Sequence, residues 1–103
     1  MTNKFFEEGN KKYLRGDYKG AIKLYNKAIE SDNKLTEAYL NRGLAKHDSG
    51  MYKEAIEDFN MVISLDPNHA EAFRNRALSH FSLNNSIAAL SDYNEASRLL
   101  SGK

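Results

Sequence analysis

The sequence predicts an all-α protein made of three stacked helical hairpins. Offset by 34 residues, the chain of 103 residues aligns with itself without a gap. Within each copy, apolar residues recur at three- and four-residue spacing on both sides of a central break, as amphipathic helices require. No stretch shows the sustained alternation with β-branched residues that is typical of strands. A repeat period of about 20–50 residues is typical of stacked supersecondary units.

Equivalent positions in the three copies carry residues of matching size. The aligned sets are Phe5, Tyr39 and Phe73; Gly9, Gly43 and Ala77; Gly16, Gly50 and Asn84; Ala21, Ala55 and Ala89; Ile22, Ile56 and Leu90; Tyr25, Phe59 and Tyr93; and Ala28, Val62 and Ala96. Agreement at this many positions predicts one domain over 1–103, divided into repeats at 2–35, 36–69 and 70–103.

Each repeat is predicted to contain two helices, which lie in order near 2–15 and 18–31, 36–49 and 52–65, and 70–83 and 86–99. The break inside each hairpin falls at Gly16, Gly50 or Asn84, and Gly and Asn tolerate the left-handed backbone that ends a helix. The breaks between hairpins contain Asp, Asn and Pro, which suit the start of the next helix.

The antiparallel hairpin predicts which side chains meet. Gly43 lies seven residues before the turn glycine and Phe59 nine residues after the same glycine, so the ring is expected to close against the bare glycine backbone. Because the other two copies repeat this relation, we expect Tyr25, Phe59 and Tyr93 to be largely buried.

The same geometry predicts two ion pairs. Arg42 and Asp58 are both eight residues from Gly50, and Arg76 and Asp92 are both eight residues from Asn84. We expect each pair to brace its hairpin.

Charge and composition exclude several classes of function. The chain has 15 basic and 14 acidic residues and no cysteine. A net charge of +1 gives no field that would attract nucleic acid or an anionic membrane. No apolar run approaches the ~20 residues of a membrane span, and the N-terminus lacks the apolar core of a signal peptide. We therefore expect a cytoplasmic protein that binds neither nucleic acid nor membrane.

Motifs for catalysis are also missing. His47, His69 and His80 do not have the spacing of a metal site, and the sequence contains no nucleophile-elbow or phosphate-binding glycine motif. The sequence therefore predicts no enzyme activity, no cofactor and no metal.

The pattern resembles the tetratricopeptide repeat family over essentially the whole chain. The matching residues are Gly9, Gly16, Tyr18, Ala21, Tyr25 and Ala28; Tyr39, Gly43, Gly50, Tyr52, Ala55, Phe59 and Pro67; and Phe73, Ala77, Ala89, Tyr93 and Ala96. The resemblance implies a right-handed superhelical solenoid whose concave groove is lined by the first helix of each repeat. It also implies a non-catalytic scaffold that binds a peptide, tail or helix of another protein.

When the first helices are mapped onto that groove, carboxamides lie in a row. Asn41 and Asn75 are 34 residues apart, and Asn10 is expected nearby. A carboxamide both donates and accepts, so it suits a peptide backbone of any sequence. The alternative is that these side chains are merely solvated. The predicted groove residues are Asn10, Tyr13, Asn41, His47, Arg74 and Asn75.

A related subgroup binds the C-terminal carboxylate of heat-shock chaperones through five clamp residues, and the resemblance allows these to be compared. Asn10 and Asn41 match, whereas Phe6, Glu71 and Asn75 replace three cations. A co-chaperone adaptor with a degenerate clamp is therefore the second hypothesis.

The third hypothesis is self-association through the C-terminal repeat. The third repeat ends without an obvious capping helix, so Ile87, Leu90 and Leu99 or Leu100 are expected to be exposed at that edge.

Overall fold

The computed structural model describes residues 3–102, which form six α helices. They are α1 (Lys4–Leu14), α2 (Tyr18–Ser31), α3 (Thr36–Asp48), α4 (Tyr52–Leu65), α5 (Ala70–Ser82) and α6 (Ser86–Ser101). Each helix lies where the sequence predicts it, and no strand occurs within the described residues.

Each helix packs against the one that follows it. α1 with α2, α3 with α4, and α5 with α6 form the hairpins, while α2 contacts α3 and α4 contacts α5 between them. The first helices α1, α3 and α5 also touch in series, so they form one continuous side of the solenoid.

The hairpin turns use left-handed backbone as predicted. Gly16, Gly50 and Asn84 have φ angles of 81°, 83° and 63°. Asn84 is the one non-glycine residue of 3–102 with positive φ, and asparagine tolerates this conformation better than most side chains.

The predicted contact between glycine and ring is confirmed in two repeats. A Cβ added at Gly43 would lie 2.6 Å from Phe59 Cε1, and one added at Gly9 would lie 2.7 Å from Tyr25 Cε1. Both rings are fully buried. For Tyr93 the prediction holds only in part, because this ring is half-buried. No described helix follows α6 to cover it.

Both predicted ion pairs are confirmed. Arg42 donates from Nε and Nη2 to the two carboxylate oxygens of Asp58 at 2.9 and 2.7 Å. Arg76 makes the same fork to Asp92 at 2.8 and 2.7 Å. Both carboxylates are buried.

The two arginines also join successive repeats. Arg42 Nη1 donates to Asn26 Oδ1 at 2.8 Å, and Arg76 Nη1 donates to Asn60 Oδ1 at 2.9 Å. Each guanidinium therefore holds its own hairpin closed and holds the preceding hairpin in place.

Candidate functional site

The candidate site lies on the side formed by the first helices. A pocket of about 260 Å³ opens between α1 and α3, and it is lined by Asn10, Tyr13, Leu14 and Asn41. Three of the six predicted groove residues therefore lie together here.

Two amide side chains in this pocket are held in fixed orientations. Asn10 Oδ1 accepts hydrogen bonds from Tyr25 Oη at 2.6 Å and from Asn41 Nδ2 at 2.9 Å. Burial raises the pKa of Tyr25 to about 12, while the Asn41 amide beside the phenol acts in the opposite direction. The phenol therefore stays protonated and donates to Asn10 at neutral pH, which fixes the direction of the network.

Asn75 occupies the Asn41 position of the next repeat but has a different environment. Its side chain is 6% exposed, and its Nδ2 has no hydrogen-bond partner among the described residues. In the repeat register, Asn10 and Tyr25 are replaced by Leu44 and Phe59, which have no polar side-chain atom. The neighbours that satisfy Asn41 are therefore missing around Asn75, and a buried donor is left unpaired.

Tyr13 and His47 are equivalent residues, and each contacts the following repeat. Tyr13 Oη donates to Asp48 Oδ2 at 2.7 Å, and His47 Nδ1 lies 2.8 Å from Ser79 Oγ. Burial, followed by the hydrogen bond to Asp48, raises the pKa of Tyr13 well above its ordinary value. Both rings are thus part of the bracing between repeats, and Tyr13 also lines the pocket between α1 and α3.

Arg74 lies apart from the amide cluster. Its exposed side chain lines a separate shallow pocket with Ala70, Glu71 and Leu100, between the start of α5 and the end of α6. The structure therefore does not bring Arg74 together with Asn10 and Asn41.

Acidic residues predominate on the groove side of the first helices. By the repeat register, the charged positions on this side are Glu7, Glu37, Asp48, Glu71 and Arg74. Four carboxylates against one guanidinium make this side net negative, which favours a neutral or basic ligand over an acidic one.

The histidines have structural contacts. His69 accepts the Ala72 backbone N–H at Nδ1 and so caps α5, a role that the sequence did not predict. His80 Nε2 lies 3.9 Å from Asp92 Oδ2. Across residues 3–102, no group of three or more metal-ligating side chains is found.

Sequence comparison missed two polar partners and one substitution. Asp48 and Ser79 accept or share the hydrogen bonds of Tyr13 and His47, and no motif points to either. The substitution is Ser86, which stands where the first two repeats have Tyr18 and Tyr52. Alignment of the three repeats was sufficient to find this loss of an aromatic ring.

Three stacked helical hairpins, whose first helices α1, α3 and α5 form one side of the molecule, define a helical-repeat solenoid. Family models described as TPR repeat and tetratricopeptide repeat match residues 9–50 and 36–69. The chain belongs to the tetratricopeptide repeat family, whose members are protein-interaction modules, and the fold predicted from the sequence is confirmed.

Solved structures of similar fold include three domains of this family. The second TPR of Spaghetti (RPAP3), bound to HSP90 peptide SRMEEVD, is 27% identical, with a TM-score of 0.89 over 92% of this chain and 88% of that chain. The first TPR of the same protein, bound to the same peptide, is 26% identical, with a TM-score of 0.91 over 96% and 79%. The Sgt2 TPR domain from Aspergillus fumigatus is 26% identical, with a TM-score of 0.90 over 95% and 65%.

Comparison with curated proteins gives no significant match. None of the six helices is both long and apolar enough to span a bilayer, a finding that covers residues 3–102.

Proposed function

We propose that this chain is a non-catalytic scaffold that holds a peptide segment of another protein in the groove between α1 and α3. The observation that carries the proposal is the arrangement of the two amides. Asn10 Oδ1 accepts both hydrogen bonds of the network. Among residues 3–102, no hydrogen bond is found for Asn10 Nδ2 or Asn41 Oδ1. One free donor and one free acceptor match the C=O and N–H of a peptide backbone.

The groove residues beyond the amide pair extend this proposal. Asn75 is assigned to the same surface because it is the Asn41 equivalent of the third repeat, and Tyr13 and His47 add ring surface for apolar side chains of the ligand. Arg74 is assigned to the end of the groove, where it meets a carboxylate of the ligand if one is present.

The charge on the groove side selects among ligands. Glu71 stands where the clamp subgroup has a lysine, and Phe6 and Asn75 stand where it has two further cations. A peptide rich in carboxylates therefore meets repulsion from Glu71 and finds only Asn10 and Asn41 of the clamp. We propose that the preferred ligand is neutral or basic.

Binding of a chaperone tail is the second candidate. It is supported by the 26–27% identity to the two domains of Spaghetti (RPAP3) that bind the HSP90 peptide SRMEEVD. Chaperone-tail binding ranks second because Phe6, Glu71 and Asn75 replace the three cations of the clamp.

A peptide-display selection tests the first candidate. A random heptapeptide library is selected on the wild-type chain, and enriched peptides are titrated by fluorescence polarisation. Asn41→Ala should weaken binding by about tenfold, since a buried hydrogen bond to a ligand contributes roughly 1–3 kcal/mol. Asn94→Ala removes an exposed amide from α6 and should leave the affinity unchanged. Equal affinity of wild type and Asn41→Ala for every selected peptide would contradict the proposal.

A charge substitution tests the second candidate. Wild-type protein should bind SRMEEVD weakly or not at all, and a Phe6→Lys, Glu71→Lys variant should gain affinity because two clamp cations are restored. Far-UV circular dichroism shows whether the variant keeps its helices. If wild-type protein binds SRMEEVD and loses it on Asn41→Ala, tail binding is the correct function instead.

A further inference from the structure

An unfilled aromatic position lies at the end of the third hairpin, away from the Asn10–Asn41 amide pair. In the first hairpin the rings of Tyr13 and Tyr18 lie 5.4 Å apart across the turn. In the second hairpin the rings of His47 and Tyr52 lie 5.0 Å apart in the same place. A ring from the second helix therefore packs on a ring from the first helix in both copies.

The third hairpin keeps only one of these two rings. Phe81 occupies the position of Tyr13 and His47, but Ser86 occupies the position of Tyr18 and Tyr52. A serine hydroxymethyl group cannot reach the Phe81 ring in the way that a phenol does. Within residues 3–102 the Phe81 ring makes no ring–ring contact, and it is 62% exposed.

The missing ring leaves a defined space. A pocket of about 340 Å³ is lined by Phe81, Ser86, Ala89, Leu90 and Tyr93, and these five residues are called here the Ser86 pocket. Its volume lies at the lower end of the range, about 300–1,000 Å³, that small-molecule sites occupy. No charged side chain lines it. Two aromatic rings and two aliphatic side chains form its walls, and Leu90 is 62% exposed there.

We propose that the Ser86 pocket binds an aromatic side chain, tyrosine or phenylalanine, presented by a partner protein. The occupant is defined by the two internal copies, in which a tyrosine ring fills the equivalent position against the first helix. Aromatic pairs prefer the tilted and edge-to-face contacts that Phe81 and Tyr93 offer here.

The described chain has no suitable ring of its own to donate to a second copy. Only Phe5 and Phe81 are exposed among its aromatic residues. Phe81 forms a wall of the pocket, and Phe5 lies beneath Lys27 with Nζ 5.7 Å from the ring centroid. A second copy of the described residues therefore offers no ring suited to this pocket.

The test uses p-cresol, the tyrosine side chain as a free molecule, in an NMR titration of the whole chain. The methyl and ring signals of Ala89, Leu90 and Tyr93 should shift saturably. The saturated analogue 4-methylcyclohexanol should bind more weakly, because it cannot form ring–ring contacts. The absence of a saturable shift, or equal binding of the two compounds, would overturn the proposal.

Two variants locate the site. Ser86→Tyr restores the ring of the internal copies and should weaken p-cresol binding by about tenfold or more, with thermal stability retained or raised. Leu90→Asp places a charge in the pocket wall and should have the same effect on binding. The matched control, Ser91→Tyr, adds a ring at an exposed position on the same helix and should leave binding unchanged. Unchanged affinity in both Ser86→Tyr and Leu90→Asp would refute the assignment.

The same variants distinguish a second copy from a partner. Light scattering of the wild-type protein should give the mass of a monomer. A mass that rises with concentration and falls back in Ser86→Tyr would mean that the pocket holds another copy of this chain, and the assignment to a different protein would be wrong.

Discussion

Truncation of Phe59 should be the most damaging change to the packing of the second hairpin. The ring is 0% exposed and packs with the core residues Tyr39, Leu40 and Val62. On its other side lies Gly43, which has no side chain that can move into an emptied space. Phe59→Ala therefore leaves a cavity, and such a change costs about 3–5 kcal/mol.

That loss is large for a domain of this size. Native proteins have free energies of unfolding of about 5–15 kcal/mol, so the variant should lose a fifth or more of its stability. Urea denaturation followed by circular dichroism measures the change. With a denaturant dependence of about 1–3 kcal/mol per molar urea, the midpoint should fall by more than about 1 M.

Tyr93→Ala is the matched control, because it removes a ring at the same position of the third repeat. Tyr93 is only half-buried and borders an open pocket, so its removal should cost about 1–2 kcal/mol. A loss below about 1 kcal/mol for Phe59→Ala, or equal losses for the two variants, would refute the account of how the hairpins pack.

Three further predictions follow from the buried polar groups. Asp58→Ala should lower the free energy of unfolding by about 3 kcal/mol in urea denaturation, because it leaves the Arg42 guanidinium without its buried carboxylate partner. The control, Lys12→Ala, breaks the exposed pair with Asp17 and should cost less than about 1 kcal/mol. Because the pKa of Tyr25 is raised to about 12 in the folded chain, the folded state holds a proton that the unfolded state loses above about pH 10. Stability should therefore fall as the pH rises from about 10 to 12. Tyr25→Phe should lessen this fall and reduce the absorbance change at 295 nm near pH 12, and the remaining fall comes from Tyr13, whose pKa is also raised. Asn75→Leu should raise the free energy of unfolding by about 1 kcal/mol, since it replaces an unpaired buried amide by an apolar group. It should also lower the affinity for peptides selected on the groove.

The sequence was sufficient to predict the packing that the copies share. The offset of 34 residues places Gly43 opposite Phe59 and Arg42 opposite Asp58 because hairpin geometry fixes which residues meet. Helix bounds followed for the same reason, since Gly16, Gly50 and Asn84 have the backbone that a helix end requires. Repetition showed each of these contacts in at least two copies of the hairpin, which a single copy does not.

The environment of single side chains could not be predicted in this way. Asn41 and Asn75 are identical in type and in position, yet one is hydrogen-bonded and the other is not, because their partners come from neighbouring repeats that differ. Tyr93 differs from Phe59 for a related reason, since its exposure depends on what packs after α6. Such properties depend on residues far away in the chain.

Both candidate binding surfaces lie where one copy departs from the others. Asn10 stands where the other repeats have Leu44 and Leu78, and it creates the amide pair with Asn41. Ser86 stands where the other repeats have tyrosine, and it opens the pocket beside Phe81. At each position the other copies show how a larger apolar or aromatic side chain packs there. Comparison with them therefore identifies the contacts that are absent at Asn10 and at Ser86. A side chain that restores those contacts occupies the space that a ligand needs. Stability and binding should therefore change in opposite directions at the Ser86 pocket, whereas mutations of shared core residues such as Phe59 should lower both together.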